Sequence, residues 1–264
     1  MSSMSFNDAL RLEREDDVVT IWLNRPSKRN AVDFAMWQAM PALLDEILTA
    51  APRVVLIRGV GGHFCAGADI SELGERLADV GVPGGYREVN AAAEAAFMAF
   101  PLPVIAVIEG NCIGGGWQIA SVCDLRIASR SMLIGITPSK LGITYPPEAI
   151  SRTVALVGPA ATKRLLYTAE LIDGAEALRL GFVDQLVDDD ALDHCVAELV
   201  AQLAGRSLLT QTATKLLVNS LVTDDESLRA RHDQLALDSK DGPDLHEGLT
   251  AFKERRPPTF SWRP

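Results

Sequence analysis

Short apolar runs alternate with helical patterns along the first half of the chain. Val18–Leu23 predicts a β-strand, and Asp33 is typical of the N-cap of a helix that runs to about Ala50. Residues 86–100 predict a second helix, which two prolines close. Further apolar runs are too short for helices and predict strands at 54–58, 104–108, 125–128 and 133–136.

From about Pro146 onward the pattern becomes helical throughout. Gly-Pro and Asp-Gly steps separate the predicted helices, which are 147–156, 159–168, 174–181, 189–204, 208–221, 224–239 and 244–254. Strand–helix alternation followed by a helical tail predicts an α/β protein of repeated ββα or βαβ units. The apolar residues of the tail exceed what its short helices can bury among themselves, so we expect the chain to form oligomers.

Composition and charge narrow the class of function. The 264 residues carry 48% hydrophobic and 23% charged side chains, as a globular protein does, and a formal net charge of −10. A negative field of this size repels nucleic acid and anionic membranes, so neither is an expected partner. An anionic ligand would require a local basic patch.

The cysteines and the N-terminus predict the compartment. No two of the four cysteines have CxxC spacing and none lies in a metal-ligand cluster, so we expect buried thiols and no metal. The first ten residues lack the basic and apolar regions of a signal peptide. These features together predict a soluble cytoplasmic protein.

Two glycine-rich segments stand out as candidate chemistry. They are residues 61–70 (GGHFCAGADI) and 109–118 (EGNCIGGGWQ), about 45 residues apart, and each joins a predicted strand to a helix. Glycine lets another molecule approach the main chain closely, and a helix N-terminus directs free N–H groups at it. A single such turn is usually only a tight turn. Two that converge would supply paired donors for an oxyanion.

The paired segments resemble the two signature loops of the crotonase (enoyl-CoA hydratase/isomerase) superfamily. The resemblance extends over most of the chain. It includes LNRPSKRNA at 23–31, CDLRIA at 123–128, LVG at 156–158, AEALRLG at 175–181 and EGLTAFKERRP at 247–257. It implies a spiral of ββα units with a C-terminal helical trimerisation region, divided into an acyl-CoA-binding core (1–200) and a trimerisation or lid region (201–264). It also implies a homotrimer or a dimer of trimers.

The resemblance assigns roles residue by residue. The N–H groups of Ala68 and Gly115 would form the oxyanion hole. No tightly bound cofactor is implied, because coenzyme A is part of the substrate. Its path would be lined by Lys28, Arg29, Ala31, Ala66, Ile70 and, from across a subunit boundary, Lys253. The alternative for each basic residue is a solvated surface position.

The sequence departs from the hydratases of this family at two positions. Those enzymes use two glutamates to move protons, and here the matching positions hold Gln118 and Pro138. Neither side chain exchanges a proton near neutral pH. Since a general acid or base contributes roughly 10²–10⁴-fold in rate, we expect little two-glutamate hydration.

The segment 137–145 (TPSKLGITY) resembles that of the methylmalonyl-CoA decarboxylase branch, including Tyr145. Loss of CO₂ needs no base, and a tyrosine hydroxyl could orient the departing carboxylate. That branch has histidine where this chain has Ala68. Gln118 would hydrogen-bond substrate or water. Glu148 is either a relocated acid or a carboxylate at a helix start.

Three classes of function follow. The first is an acyl-CoA enzyme with lyase chemistry, either decarboxylation or hydration. The second is an acyl-CoA binder that has lost its proton-transfer groups. The third, a structural subunit, has the least support.

Overall fold

The computed structural model describes residues 2–77 and 82–264. Within these ranges the strands are β1 Ser2–Asn7, β2 Leu10–Glu15, β3 Val18–Leu23, β4 Val54–Gly59, β5 Val104–Ile108, β6 Asn111–Ile113, β7 Leu125–Ser129, β8 Leu133–Gly135, β9 Leu171–Asp173 and β10 Gln185–Val187. The helices are α1 Phe34–Thr49, α2 Ile70–Leu77, α3 Tyr86–Ala99, α4 Gly115–Val122, α5 Pro147–Thr168, α6 Gly174–Arg179, α7 Leu192–Ala204, α8 Leu208–Thr223, α9 Glu226–Asp238 and α10 Pro243–Glu254. Short 3-10 turns lie at Pro26–Lys28, Pro138–Lys140, Asp189–Ala191 and Ser239–Asp241.

The strands form one large sheet and one small sheet. The large sheet has the order β1-β2-β3-β4-β5-β7-β10, and the small one has the order β6-β8-β9. Pairing in the large sheet is antiparallel from β1 to β3 and parallel from β3 to β10. The parallel strands therefore end at a common edge, where the loops after β4 and β5 meet.

Both faces of the parallel strands are buried. In β4, Val55 and Ile57 belong to the main core, whereas Val54 and Leu56 pack with Val196 of α7 on the opposite face. When both faces of a strand are buried, apolar residues occupy successive positions and do not alternate with polar ones. This explains why the sequence pattern was a continuous apolar run.

The predicted mixed α/β fold with a helical tail is confirmed, and most element boundaries agree within one or two residues. Asp33 caps α1, since its carboxylate accepts a hydrogen bond of 2.9 Å from the N–H of Met36. Five strands were missed: β1, β2, β6, β9 and β10. Three of them have only three residues, too few for a periodic pattern to develop.

Predicted helices 147–156 and 159–168 are the two halves of α5. Gly158 joins them with a non-helical backbone (φ 79°, ψ 163°), which bends the helix at the Gly-Pro step. Pro159 disfavours helical dihedral angles in the residue before it. The sequence thus located the kink correctly but not the continuation of the helix.

The last three helices pack onto the preceding part of the chain. The Lys215 ammonium of α8 donates to the Leu102 carbonyl and to the Asp124 carboxylate, both at 2.9 Å. The expected division after residue 200 falls inside α7. None of the helices in the described ranges is long and apolar enough to cross a membrane.

Candidate active site

The first glycine-rich loop leaves the N–H of Ala68 without an internal acceptor. Val32 donates to the Gly67 carbonyl and accepts from the Asp69 N–H, both at 2.8 Å. In this parallel bridge the polar groups of Ala68 itself point to the other side. Gly67 has φ 119°, a conformation that favours glycine. No described residue accepts a hydrogen bond from the Ala68 N–H.

The second glycine-rich loop places another free N–H beside the first. Gly114 turns the chain with φ 53° and ψ −103°, and α4 begins at Gly115. The first N–H groups of a helix have no acceptor within it. A Cβ added to Gly115 would lie 3.3 Å from the Ala68 nitrogen and 3.0 Å from Val32. Gly115 and the Ala68 amide are therefore neighbours.

Gly116 shows how closely the two loops pack. A Cβ at this position would lie 2.5 Å from the Cys65 carbonyl oxygen, so only glycine fits there without displacement of the first loop. Cys65 also pairs with Cys112 of β6 in an isolated parallel bridge. The glycines thus bring two backbones together as well as shaping turns.

Both amides open onto one cavity of about 560 Å³. Its wall includes Ala66, Ala68, Gly115, Gln118, Pro138 and Tyr145. Within the described part of the chain, no aspartate or glutamate lines this cavity.

Tyr145 is held by the second loop. Its hydroxyl donates to the Gly114 carbonyl at 2.8 Å, one residue before the start of α4. Burial raises the pKa of Tyr145 well above its usual range, and Glu94 adds to the shift. The tyrosine is thus a neutral hydrogen-bond donor that fixes the loop carrying Gly115.

Ile70, which the resemblance assigns to the coenzyme A path, also lines the cavity, and Pro138 lies at the start of a 3-10 turn. Ala66 is tied to the loop at 23–31, since its N–H donates to the Arg29 carbonyl at 2.9 Å. Ala31 is buried beneath this loop.

The basic residues lie farther out. The Lys28 ammonium donates to the Asp69 carboxylate at 2.6 Å and to Ser71 at 3.3 Å, and Arg29 is exposed. Lys253 is exposed on α10 and does not line the cavity. The structure therefore gathers positive charge near the first loop from Lys28 and Arg29.

Glu148 occupies the first turn of α5. It is exposed and lines a second cavity of about 720 Å³, separate from the one that contains Ala68 and Gly115. This is the helix-start position that the sequence left open as the alternative to a relocated acid.

Gln118 is the centre of a buried polar network. Its Nε2 donates to the Asn90 Oδ1 and to the Glu94 Oε1, each at 3.0 Å. Glu94 forms an ion pair with Arg152 at 2.6 Å. Burial raises the pKa of Glu94, whereas Arg152 opposes that shift. Glu94 and Arg152 line the second cavity, so the network forms the wall between the two cavities.

The family is shown by a match over almost the whole chain. Residues 13–263 match the model of the enoyl-CoA hydratase/isomerase family. The chain belongs to the enoyl-CoA hydratase/isomerase family, that is, to the crotonase superfamily.

Relatives in the enoyl-CoA hydratase/isomerase family cover nearly the full length. Crotonyl-CoA hydratase from Syntrophomonas wolfei is 32% identical over 94% of this chain and 96% of its own. Short-chain-enoyl-CoA hydratase from Clostridium acetobutylicum is 30% identical over 96% and 97%. A crystal structure of a family member from Hyphomonas neptunium has a TM-score of 0.89 and 35% identity, and it covers 97% of this chain and 98% of that one.

Three residues of the polar network, Asn90, Glu94 and Arg152, were not predicted from the sequence as part of the site. Asn90 and Glu94 lie on the buried face of α3, at the spacing of its apolar residues Ala93 and Phe97. Polar residues on an apolar helix face are a detectable signal. The partner that makes them part of the site, Gln118, lies on another helix, so the network itself could not be seen.

Proposed function

We propose that the protein is an acyl-CoA enzyme that stabilises a thioester enolate between the N–H groups of Ala68 and Gly115. The observation that carries this proposal is the pair of adjacent backbone amides, without acceptors among the described residues, in the wall of one cavity. Fixed donors in such a site stabilise the negative charge that develops on a carbonyl oxygen. The helix dipole of α4 acts in the same direction.

The coenzyme A part of the substrate would pass along the first loop. Lys28, Arg29, Ala31, Ala66 and Ile70 are the residues we assign to this path. Lys28 is half exposed beside Asp69, so its ammonium remains accessible to a phosphate. The assignment of Lys253 requires a neighbouring subunit, because α10 does not reach the cavity within one chain.

The lining of the cavity favours lyase chemistry that needs no side-chain base. In decarboxylation, the bond between the α-carbon and the carboxylate breaks, its electron pair forms the enolate, and CO₂ leaves. Water then protonates the carbon. The two amides hold the enolate oxygen throughout. Tyr145 would keep the amide of Gly115 in place, since its hydroxyl is bonded to the Gly114 carbonyl.

A trimer or dimer of trimers belongs to the same proposal. Leu245, Leu249 and Phe252 are exposed along α10, and Phe252 is 85% exposed. Apolar side chains grouped in this way are typical of a surface that another subunit covers.

The experiment is a mass-spectrometric screen of enoyl-, 3-hydroxyacyl- and malonyl-type CoA esters. We expect turnover of at least one thioester by the wild-type protein. Ala68→Pro removes one donor, and Gly115→Ala places a methyl group 3.3 Å from the Ala68 nitrogen. Each should reduce turnover roughly 10²–10³-fold.

Gly205→Ala is the matched control. Gly205 has φ −81° at the end of α7, and an added Cβ meets only an ordinary contact of 3.4 Å. Turnover should be unchanged. CoA-ester affinity without turnover of any ester would identify a binder that has lost catalysis, and absence of any affinity would contradict the proposal altogether.

A further inference from the structure

The acyl cavity, which contains Ala68 and Gly115, has an arginine in its wall. Arg87 lies in the first turn of α3, and it is the one charged side chain among the described residues that line this cavity. Within the described ranges, its guanidinium has no hydrogen bond or ion pair. Glu88 does not pair with it, because that carboxylate accepts from the Gly84 N–H at 2.6 Å. The cavity therefore carries a positive charge without a counter-charge.

Asn90 supplies a second donor, and this one is buried. Arg87 and Asn90 are three residues apart on α3, so they share one face of the helix. Asn90 is 1% exposed and lines the same cavity, and its Nδ2 has no hydrogen-bond partner in the part of the chain that the structure describes. Few buried donors in folded proteins lack a partner, because an unpaired donor is unfavourable. Water can solvate an exposed arginine, but the buried amide indicates a ligand atom that accepts a hydrogen bond.

The surroundings of these two donors favour a negatively charged acceptor. No described aspartate or glutamate lines the cavity. Glu94 is connected to Asn90 through Gln118, but Arg152 neutralises its charge at 2.6 Å. The positive end of the α3 dipole lies at Arg87, in the first turn of a 14-residue helix. An anion is therefore preferred here over a neutral group with the same acceptor atoms.

The two donors lie beyond the side chain of Gln118 as seen from the oxyanion hole. Gln118 follows Gly115 by three residues, about 4.5 Å along the axis of α4. Asn90 contacts the far end of its side chain, since the Gln118 Nε2 donates to the Asn90 Oδ1 at 3.0 Å. An anion bound at Asn90 would therefore be attached to the acyl chain beyond the α-carbon of the thioester.

We propose that Arg87 and Asn90 form a recognition site for a carboxylate at the end of the acyl chain. One carboxylate oxygen accepts from the guanidinium of Arg87, and the other accepts from the Asn90 Nδ2. A hydrocarbon chain leaves both donors unpaired. The substrate class is therefore a thioester of a dicarboxylic acid. This site rests on the proposed function and is independent of which bond the enzyme then breaks.

Calorimetric titration of the wild-type protein compares dicarboxylic thioesters with alkyl thioesters of matched length. The pairs are succinyl-CoA with pentanoyl-CoA and glutaryl-CoA with hexanoyl-CoA. Neither dicarboxylic probe has its carboxylate on the α-carbon, so neither can lose CO₂ directly to an enolate. At least one should bind about tenfold more tightly than its alkyl partner, because hydrogen bonds to a charged group contribute roughly this factor or more. Coenzyme A is common to both members of a pair, so the affinity ratio measures the acyl chain.

Variants assign this affinity ratio to the two residues. Arg87→Gln should lower it about threefold, as expected for a partly exposed ion pair, whereas Arg87→Lys should keep part of it. Asn90→Leu removes the buried donor and should also lower the ratio while the alkyl esters still bind. Arg229→Gln is the matched control, since Arg229 is exposed on α9 and does not line the cavity. It should keep the wild-type ratio.

Ionic strength separates recognition of charge from a packing defect. Salt screens the pairing of an exposed guanidinium with a carboxylate, so the ratio of the wild-type protein should fall as sodium chloride is added. The ratio of Arg87→Gln should depend less on salt, because the charge that salt screens has been removed.

The outcomes distinguish this inference from the proposed function. Equal binding within both pairs by the wild-type protein, with Gly115→Ala still weakening all four esters, would overturn the carboxylate site and leave the acyl-CoA function intact. A preference for the dicarboxylic esters that Arg87→Gln leaves unchanged would also overturn it. Failure of every CoA ester to bind would remove both.

Discussion

The carboxylate of Asp69 joins the first glycine-rich loop and the start of α2 to the loop at 23–31, about 40 residues earlier in the sequence. One oxygen accepts from Arg25 at 2.7 Å and from Lys28 at 2.6 Å, and the other accepts from Ser71 in the first turn of α2. Arg25 also donates to the Ala31 carbonyl at 2.6 Å. This side chain therefore helps to fix Ala68, one residue earlier, together with the backbone bridge from Val32.

These partners should make the contribution of Asp69 to stability dependent on pH. The hydrogen bonds from Lys28 and Ser71, together with that from Arg25, hold the pKa of Asp69 far below its usual range. Because folding lowers this pKa, the stabilisation is complete above the ordinary value of about 3.9 and is lost as the pH falls below it.

Asp69→Asn should lower the free energy of unfolding by about 2 kcal/mol at pH 7, as expected for hydrogen bonds to charged groups. Urea unfolding at pH 7 and pH 3 measures it, and the difference from wild type should shrink at pH 3. Asp233→Asn, exposed on α9, should change the free energy by less than about 0.5 kcal/mol at either pH. A difference that grows on acidification would contradict this account.

At the level of the element, α5 shows how one backbone conformation directs a helix. Its first half carries Arg152 to the network around Gln118, and its second half packs Leu165 into the core. Gly158 lies between the halves with a positive φ that only glycine adopts readily. The bend lets the two halves take different directions.

Gly158→Ala isolates this effect, since an added Cβ would meet nothing within 4 Å. Any loss of stability must then come from the backbone, and we expect about 1–3 kcal/mol in urea unfolding. The same change at Gly205, where φ is −81°, should be nearly neutral. Equal effects at the two positions would show that the kink carries no conformational strain.

At the scale of the whole molecule, the helical tail, α8 to α10, is attached to the rest of the chain by buried polar contacts of α8. Lys215 of α8 is 6% exposed and pairs with Asp124, which is about a quarter exposed. Thr212 on the same helix donates to the Pro101 carbonyl at 2.8 Å. These bonds connect the tail to the start of β5 and to the loop before β7, on the chain that leads into and out of the second glycine loop.

Lys215→Met should therefore destabilise the whole protein and not the tail alone. We expect a loss of about 3 kcal/mol, at the low end for an unpaired buried charge because Asp124 is partly exposed. Tryptophan fluorescence and far-ultraviolet circular dichroism should shift together in urea. Lys163→Met, exposed on α5, is the control. Separate transitions for the two probes would mean that the tail unfolds on its own.

The sequence by itself determined the family, the mixed α/β class and the positions of most helices, and it predicted which main-chain turns would form the site. Helix caps such as Asp33 act within a few residues of themselves, and glycine is required wherever the backbone must adopt a positive φ or another backbone approaches closely. These constraints act within a few residues, so a single segment of the sequence is enough to recognise them. The same holds for Gln118 and Pro138, whose side chains cannot transfer protons in any fold.

Only the tertiary structure decided which polar groups meet. Asn90, Gln118, Glu94 and Arg152 come from three helices, and nothing in their spacing along the chain indicates that they form one network. Hydrogen bonds act over about 3 Å of space, regardless of separation in sequence. For the same reason the sequence left the role of Glu148 open, and the folded chain placed it beside the other cavity.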